Sequence, residues 1–209
     1  MKAWKCIGIA AAMAGLGACS GEDPGELVPE AYEIVTYCGA ADSQGRGSRF
    51  TFRVFEDSPL ITLTASARPV DPIAEGTRLM IRYRAADPYA SGRIELTGLG
   101  LIGGGEMEEG QADAGSAITV NSLWRSGQYI NLDYCTEASA QAPCRLLLDT
   151  ATASSARPVL TVVQEGGREY LRRAYASWDI ADLWARPGLE GVIVRTGESD
   201  QTLFLKKAL

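Results

Sequence analysis

Apolar and polar positions alternate with a period of two along most of the chain from Tyr32 onward, the pattern of half-buried strands. Phe50, Phe52 and Val54 alternate with Thr51 and Arg53, and Leu79, Ile81 and Tyr83 alternate with Arg78, Arg82 and Arg84. Each such strand places an arginine row on one face and an apolar row on the other. Together with segments near 33–38, 60–65 and 92–102 this predicts about five strands before Gly103. After Ala117 a second series begins. Segments 118–125 and 128–134 flank Ser126-Gly127, and 160–165 and 168–176 flank Gly166-Gly167, so both pairs read as tight hairpins whose turns take positive φ. Further strands near 144–149, 189–195 and 202–207 bring this half to about seven, the number expected of a β-sandwich. A single helical turn is predicted over 179–185. Between the two series, Gly103-Gly104-Gly105 followed by Glu106, Met107, Glu108, Glu109 and Gly110 reads as a solvated linker over 103–116.

The first residues break the alternation. Lys2 and Lys5 precede an apolar run from Ile7 to Ala18, which is the layout of a secretory signal over 1–18 and is too short to cross a bilayer as a helix. Leu16-Gly17-Ala18-Cys19 resembles the lipobox of bacterial lipoproteins. The resemblance implies cleavage before Cys19 and its lipidation, with the acidic, proline-broken stretch 19–31 as a flexible tether. An ordinary signal peptide containing a cysteine is the alternative. Glu22 and Asp23 soon after Cys19 resemble an acidic signal that carries some lipoproteins of Bacteroidota to the cell surface, although a plain solvated linker reads the same way. The expected location is the outer membrane, held by the lipid on Cys19, with the body facing the periplasm or the cell surface.

Composition narrows the chemistry. With 209 residues, 46% hydrophobic and 22% charged, the chain can build a packed core in one large or two small domains. Its net charge of −6 becomes more acidic once the two leader lysines are removed, so nucleic acid is not an expected partner. The chain has no histidine. That removes Ser-His-Asp and Cys-His arrangements and any His-ligated zinc site. Cys38, Cys135 and Cys144 form no C-x-x-C pair, so no metal site and no cofactor are expected.

The segment Val120-Asn121-Ser122-Leu123-Trp124-Arg125-Ser126-Gly127-Gln128-Tyr129-Ile130-Asn131 resembles the opening of the C-terminal sandwich in NigD-like proteins of Bacteroidota. Glu75-Gly76-Thr77-Arg78-Leu79-Met80-Ile81-Arg82-Tyr83 is similar to the fourth strand of that family's N-terminal domain. With the lipobox and the strand counts, the resemblance covers essentially the whole mature chain. It implies an all-β fold: an OB-like barrel over 32–102, then a seven-stranded immunoglobulin-like β-sandwich over 117–209. It transfers no catalytic residues. The chain departs from the family in lysine, keeping only Lys206 and Lys207 beyond the leader.

OB barrels bind through one sheet face and the loops joining strands 1–2 and 4–5. Those loops are 39–47 and 85–92 here, which makes Arg46, Tyr89 and Arg93 the expected contacts for a ligand carrying an anionic or planar group. Ordinary turns bearing solvated arginines are the alternative. Trp124, Trp178 and Trp184 read chiefly as core anchors, with an aromatic sugar platform as the other reading. Cys135 and Cys144 are expected as a disulfide joining the end of one strand to the start of the next, with a bond from Cys38 to either as its rival. The function expected is a non-catalytic envelope module that binds a protein or glycan partner. The alternative is a carboxylate-dependent glycan hydrolase, which needs two acids facing one cleft, and Glu95 and Asp133 are the imaginable pair.

Overall fold

The computed structural model describes residues 29–69, 72–86, 92–111, 118–137, 142–164, 171–196 and 201–207. Strands β1 (Ala31–Tyr37), β2 (Ser48–Phe52), β3 (Ile61–Ala65), β4 (Arg78–Ala85) and β5 (Arg93–Leu101) close into a barrel in the order β1-β2-β3-β5-β4. Only β3 and β5 run parallel; every other neighbour is antiparallel. Alternation sends Val35, Phe50, Leu63, Leu79, Ile81 and Ile94 into the barrel, where they form its core. A register shift between Arg82 and Tyr83 increases the local twist of β4 as it curls around. The five barrel strands lie where the alternation predicts them.

The sandwich is assembled from β6 (Gly103–Glu106), β7 (Glu108–Glu109), β8 (Ile118–Ser126), β9 (Tyr129–Thr136), β10 (Cys144–Leu148), β11 (Val159–Gln164), β12 (Arg172–Asp179), the one-turn helix α1 (Ala181–Trp184), β13 (Gly191–Thr196) and β14 (Gln201–Lys206). One sheet runs β14-β13-β11-β10-β7 and the other β6-β12-β9-β8. Between them Ile130, Leu132, Leu146, Leu160, Trp178 and Val192 are fully buried. The two domains therefore have separate apolar cores.

Three expectations change. The glycine- and glutamate-rich stretch is not a free linker: β6 pairs in parallel with β12, and β7 pairs in parallel with β10, so the chain threads both sheets before the sandwich proper. Gly104 has φ +108, and a Cβ there would lie 2.0 Å from the Ser177 carbonyl oxygen, so the close approach requires glycine. The second predicted hairpin does not form, because β11 pairs with β10 and β13 while β12 pairs with β9 and β6. Gly166-Gly167 itself lies outside the described residues. The first hairpin does form, with Ser126 opposite Tyr129, so its turn is Gly127-Gln128, one residue later than expected.

The predicted Cys135–Cys144 bond is absent, and both thiols are free, as is that of Cys38. β9 and β10 belong to different sheets. Along β9, Ile130, Leu132 and Tyr134 face the sandwich core, so Cys135 turns to the outer face, while Cys144 joins the core. Side chains that point apart cannot be bridged without moving backbone. The tryptophans also separate. Trp178 is 1% exposed and lies in the core, and Trp184 packs against it from the edge. Trp124 is only half-buried and stays outside the core cluster, since a register shift between Val120 and Ser122 gives the inward place to Leu123.

Candidate functional site

The loop joining β1 to β2 and the head of β5 border a concavity of about 680 Å³ whose lining includes Asp42, Arg46, Thr64, Ser66 and Arg93. The first loop joins β1 to β2 and is set by Asp42. Its Oδ1 accepts from the backbone N–H groups of Gln44 and Arg46, each at 2.9 Å, and its Oδ2 accepts from Arg46 Nε at 2.8 Å. This is the side-chain-to-backbone bonding that lets aspartate build a turn. The backbone and side-chain hydrogen bonds from Arg46 hold the Asp42 carboxyl below its ordinary range. Gly47, at φ +68, closes the loop where a Cβ would meet the Ala65 carbonyl oxygen at 2.5 Å.

The second loop ends at Gly92, whose carbonyl accepts from Thr64 N at 2.7 Å, and this places Arg93 at the head of β5 opposite Thr64. Arg46 and Arg93, separate in sequence, thus line one hollow. Arg46 is 74% exposed although its Nε is bonded to Asp42, leaving its terminal nitrogens outward. Among the described residues the Arg93 side chain has no hydrogen-bond or ion-pair partner, although its backbone carbonyl accepts from Ala86 N at 3.1 Å. Tyr89, the third expected contact, lies outside the described residues, as does Cys19. Two guanidiniums, one carboxylate and the Ser66 and Thr64 hydroxyls suit an anionic or polyhydroxylated group.

A different pair of arginines joins the two domains, and sequence reasoning did not single it out. Arg78 on β4 lies with its guanidinium 4.1 Å over the Tyr129 ring. Its three nitrogens donate at 3.0 Å to Ser177 Oγ, Thr36 Oγ1 and Asn131 Oδ1. Desolvation lowers its pKa to about 10, so it remains charged at neutral pH. Arg125 on β8 reaches the other way and holds Asp57, in the loop after β2, through both terminal nitrogens at 3.2 and 3.0 Å. It is 4% exposed and lies 4.4 Å over the Trp184 ring. Backbone bonds reinforce this contact, with Glu56 N donating to Arg125 O at 2.7 Å and Gly127 N donating to Glu56 O. The only trace in sequence is polar Asn131 and Ser177 amid apolar strand neighbours.

The imagined acid pair does not face one cleft. Glu95 is exposed on barrel strand β5, whereas Asp133 is on sandwich strand β9. Burial acts to raise the Asp133 pKa, but hydrogen bonds from Arg173 and Asn121 outweigh it and hold the carboxyl low. A second cleft of about 550 Å³ opens between the domains beside Met80, Gly103, Tyr134, Cys144 and Tyr175. Burial pushes the Cys144 thiol up to about 12, against a hydrogen bond with Tyr134, so it stays a protonated thiol at neutral pH. Among the described residues no cluster of three or more metal-ligating side chains occurs.

The architecture has known counterparts. A crystal structure of a NigD-like immunity protein from Bacteroides caccae is similar to 84% of this chain and 91% of its own, with a TM-score of 0.58 at 14% identity. This chain shares its fold. A protein of unknown function from Bacteroides vulgatus is similar over 86% of this chain and 92% of its own, with a TM-score of 0.61 at 14% identity. A protein provisionally assigned as a lipoprotein, from Bacteroides fragilis, matches over 83% and 90% respectively, with a TM-score of 0.57 at 13% identity. No protein-family model matches the chain, and no curated protein does. The barrel and sandwich are the fold that the resemblance carried by the 75–83 and 120–131 segments implies.

Proposed function

We propose that this chain is a NigD-like envelope lipoprotein that binds a partner and does no chemistry on it. Its ligand is an anionic glycan or a protein carrying an anionic group, held between Arg46 and Arg93. The observation that carries this reading is the convergence of the 39–47 loop and the head of β5 on one open hollow, where Arg93 is uncommitted and Arg46 is pre-set by Asp42. Lipidation of Cys19 and residence in the outer membrane complete the proposal, supported by the leader and by the B. fragilis counterpart's provisional assignment. An immunity role, as named for the B. caccae protein, is also a binding role and fits the same site.

Two measurements test it. Purified protein is applied to arrays of carboxylated, sulfated and neutral glycans, and is used to capture partners from detergent-solubilised envelope. Arg46→Ala combined with Arg93→Ala, and Arg46→Ala combined with Tyr89→Ala, should lose what the wild type retains. Reproducible turnover of a glycan, ester or peptide that disappears on substitution of one Asp or Glu would replace the module with an enzyme. Metabolic labelling with a palmitate analogue should mark the wild type and miss Cys19→Ala.

A further inference from the structure

One end of the barrel carries a group of exposed apolar side chains. Among the described residues the large exposed hydrophobics are Tyr32, Val54, Phe55, Leu60, Leu101, Leu171 and Phe204. Val54, Phe55 and Leu60 share one loop, and Tyr32 lies at the same end of the barrel. β2 is antiparallel to β1, with Thr51 opposite Thr36, so the chain leaves β2 heading toward the first residues of β1. Val54, Phe55 and Leu60 sit in the loop that follows, and Tyr32 is at the start of β1. Solvated apolar side chains scattered singly need no explanation, but a cluster on one loop does.

The loop is held rigidly. Ser58 N donates to Phe55 O at 3.0 Å, and Arg53 donates to the Ser58 carbonyl. Glu56, at φ +30, is the one non-glycine residue with positive φ among the described residues. Its two backbone bonds to the sandwich and the Asp57–Arg125 pair hold it in that strained conformation. Phe55 and its neighbours are thus displayed in a fixed geometry, so covering them costs little ordering entropy.

The start of β1 is also where the N-terminal segment enters the body. Eleven residues separate Cys19 from Ala31. Even fully extended they span only about 40 Å, at about 3.3–3.6 Å per residue. A lipid on Cys19 therefore keeps this end of the barrel close to the bilayer. The charges around the patch are mixed: Glu30 pairs with Arg84 at 2.9 Å and with Arg82 at 3.6 Å, and Glu56 and Asp57 sit beside Arg53. Such a rim has no single sign and suits a zwitterionic surface better than a strongly anionic one.

We infer that this end of the barrel rests on the lipid surface, with Phe55, Val54 and Leu60 entering the interface and Tyr32 lying at headgroup level. The inference builds on the lipid-anchor reading above. It gives the body a fixed orientation, with the loop after β2 down and the far edge of the sandwich away from the membrane.

The test uses acylated full-length protein in phosphatidylcholine–phosphatidylethanolamine vesicles containing lipids brominated near the top of the acyl chains. Three variants each add one tryptophan: Phe55→Trp and Leu60→Trp at the patch, and Phe204→Trp on the edge strand β14. The emission added at 55 or 60 should be strongly quenched and blue-shifted, while that added at 204 is unchanged by bromination. Acylated protein that floats with the vesicles while 55 and 60 both stay unquenched overturns the inference and leaves the anchor intact. Equal quenching at 204 also overturns it, by removing the preferred orientation, and so does a dimeric mass without lipid that shields both positions. Absence of the acyl group on Cys19 by mass spectrometry removes the anchor and this inference with it.

Discussion

The two pairs of arginines in this molecule have opposite fates. Arg78 and Arg125 are drawn out of solvent at the seam between barrel and sandwich, each over an aromatic ring and each bonded across the domain boundary. Arg46 and Arg93 face water around the barrel concavity. The first pair is built into the fold, and removing Arg78 strands polar groups at the seam. In the second pair Arg93 has no side-chain partner among the described residues, and Arg46, though bonded to Asp42 through Nε, keeps its terminal nitrogens toward solvent. A guanidinium tolerates both settings because it stays charged, forks to several acceptors and stacks on rings.

The sharpest break in this comparison is Arg78→Ala. It leaves Asn131, Ser177 and Thr36 without their shared donor at a largely desolvated position and takes the cation from Tyr129. The expected loss is about 2–4 kcal/mol of stability. Because the two cores are separate, calorimetry should also split one unfolding transition into two. Arg78→Lys should recover only part of the loss, since one ammonium cannot reproduce three planar contacts. A single transition at the wild-type temperature would show that the seam contributes nothing to cooperativity.

Arg125→Ala comes next, at about 1–3 kcal/mol, because Asp57 is mostly solvated and tolerates the loss of its partner. Asp57→Ala should cost less, about 1 kcal/mol, by the same reasoning. A double-mutant cycle between the two should give a coupling of about 1 kcal/mol, with the remainder of the Arg125 effect shared by Trp184 and the Gly127 carbonyl, to which the same guanidinium donates.

Much of this was legible in the sequence. Period-two alternation placed all five barrel strands, and the second series placed the seven strands after Ala117, because burial of one face imposes that pattern directly. The seam was not legible. Arg78, Arg82 and Arg84 look alike along β4, yet only Arg78 meets the sandwich, and which arginine is covered is decided by domain docking. The same holds for Gly103–Glu106: glycines and acids read as solvent-loving, but parallel pairing to β12 is a tertiary event. The Cys135–Cys144 pairing does not follow from strand succession, because β9 and β10 belong to different sheets and their cysteines do not share one sheet end. That Arg46 and Arg93 border one hollow is legible because loop positions in a barrel follow from strand order.

Glu33 gives the comparison a pH dimension. It lies opposite Ile81 on the inward row at the end of the barrel. Burial raises its pKa from 4.5 to about 7, with Arg78 opposing the rise. The folded state therefore keeps a proton that the unfolded chain has released between those values. That contribution is fully present below 4.5 and is lost as pH rises through about 7. Glu33→Gln should be more stable than wild type at pH 8 and equal to it at pH 4. Chemical denaturation across that range checks this, and a difference that fails to grow with pH would show that Glu33 is solvated.

The smallest effect on stability is expected at the concavity, where Arg93→Ala should change unfolding free energy by no more than about 0.5 kcal/mol. Its side chain has no partner among the described residues to strand. Arg46→Ala should cost a little more, since it releases Asp42, but the backbone bonds that build the 39–47 loop remain. Both variants should keep a single unfolding transition at the wild-type pH profile while losing the captured ligand. That separation is what distinguishes the two arginine pairs, because seam variants lose stability first and binding only as a consequence. An Arg93→Ala protein as unstable as Arg78→Ala would place Arg93 among the structural arginines and take away the site. Arg93→Lys, which keeps the charge but not the fork, should retain part of the binding if the ligand's anion is held by charge alone and lose it if two parallel hydrogen bonds are required.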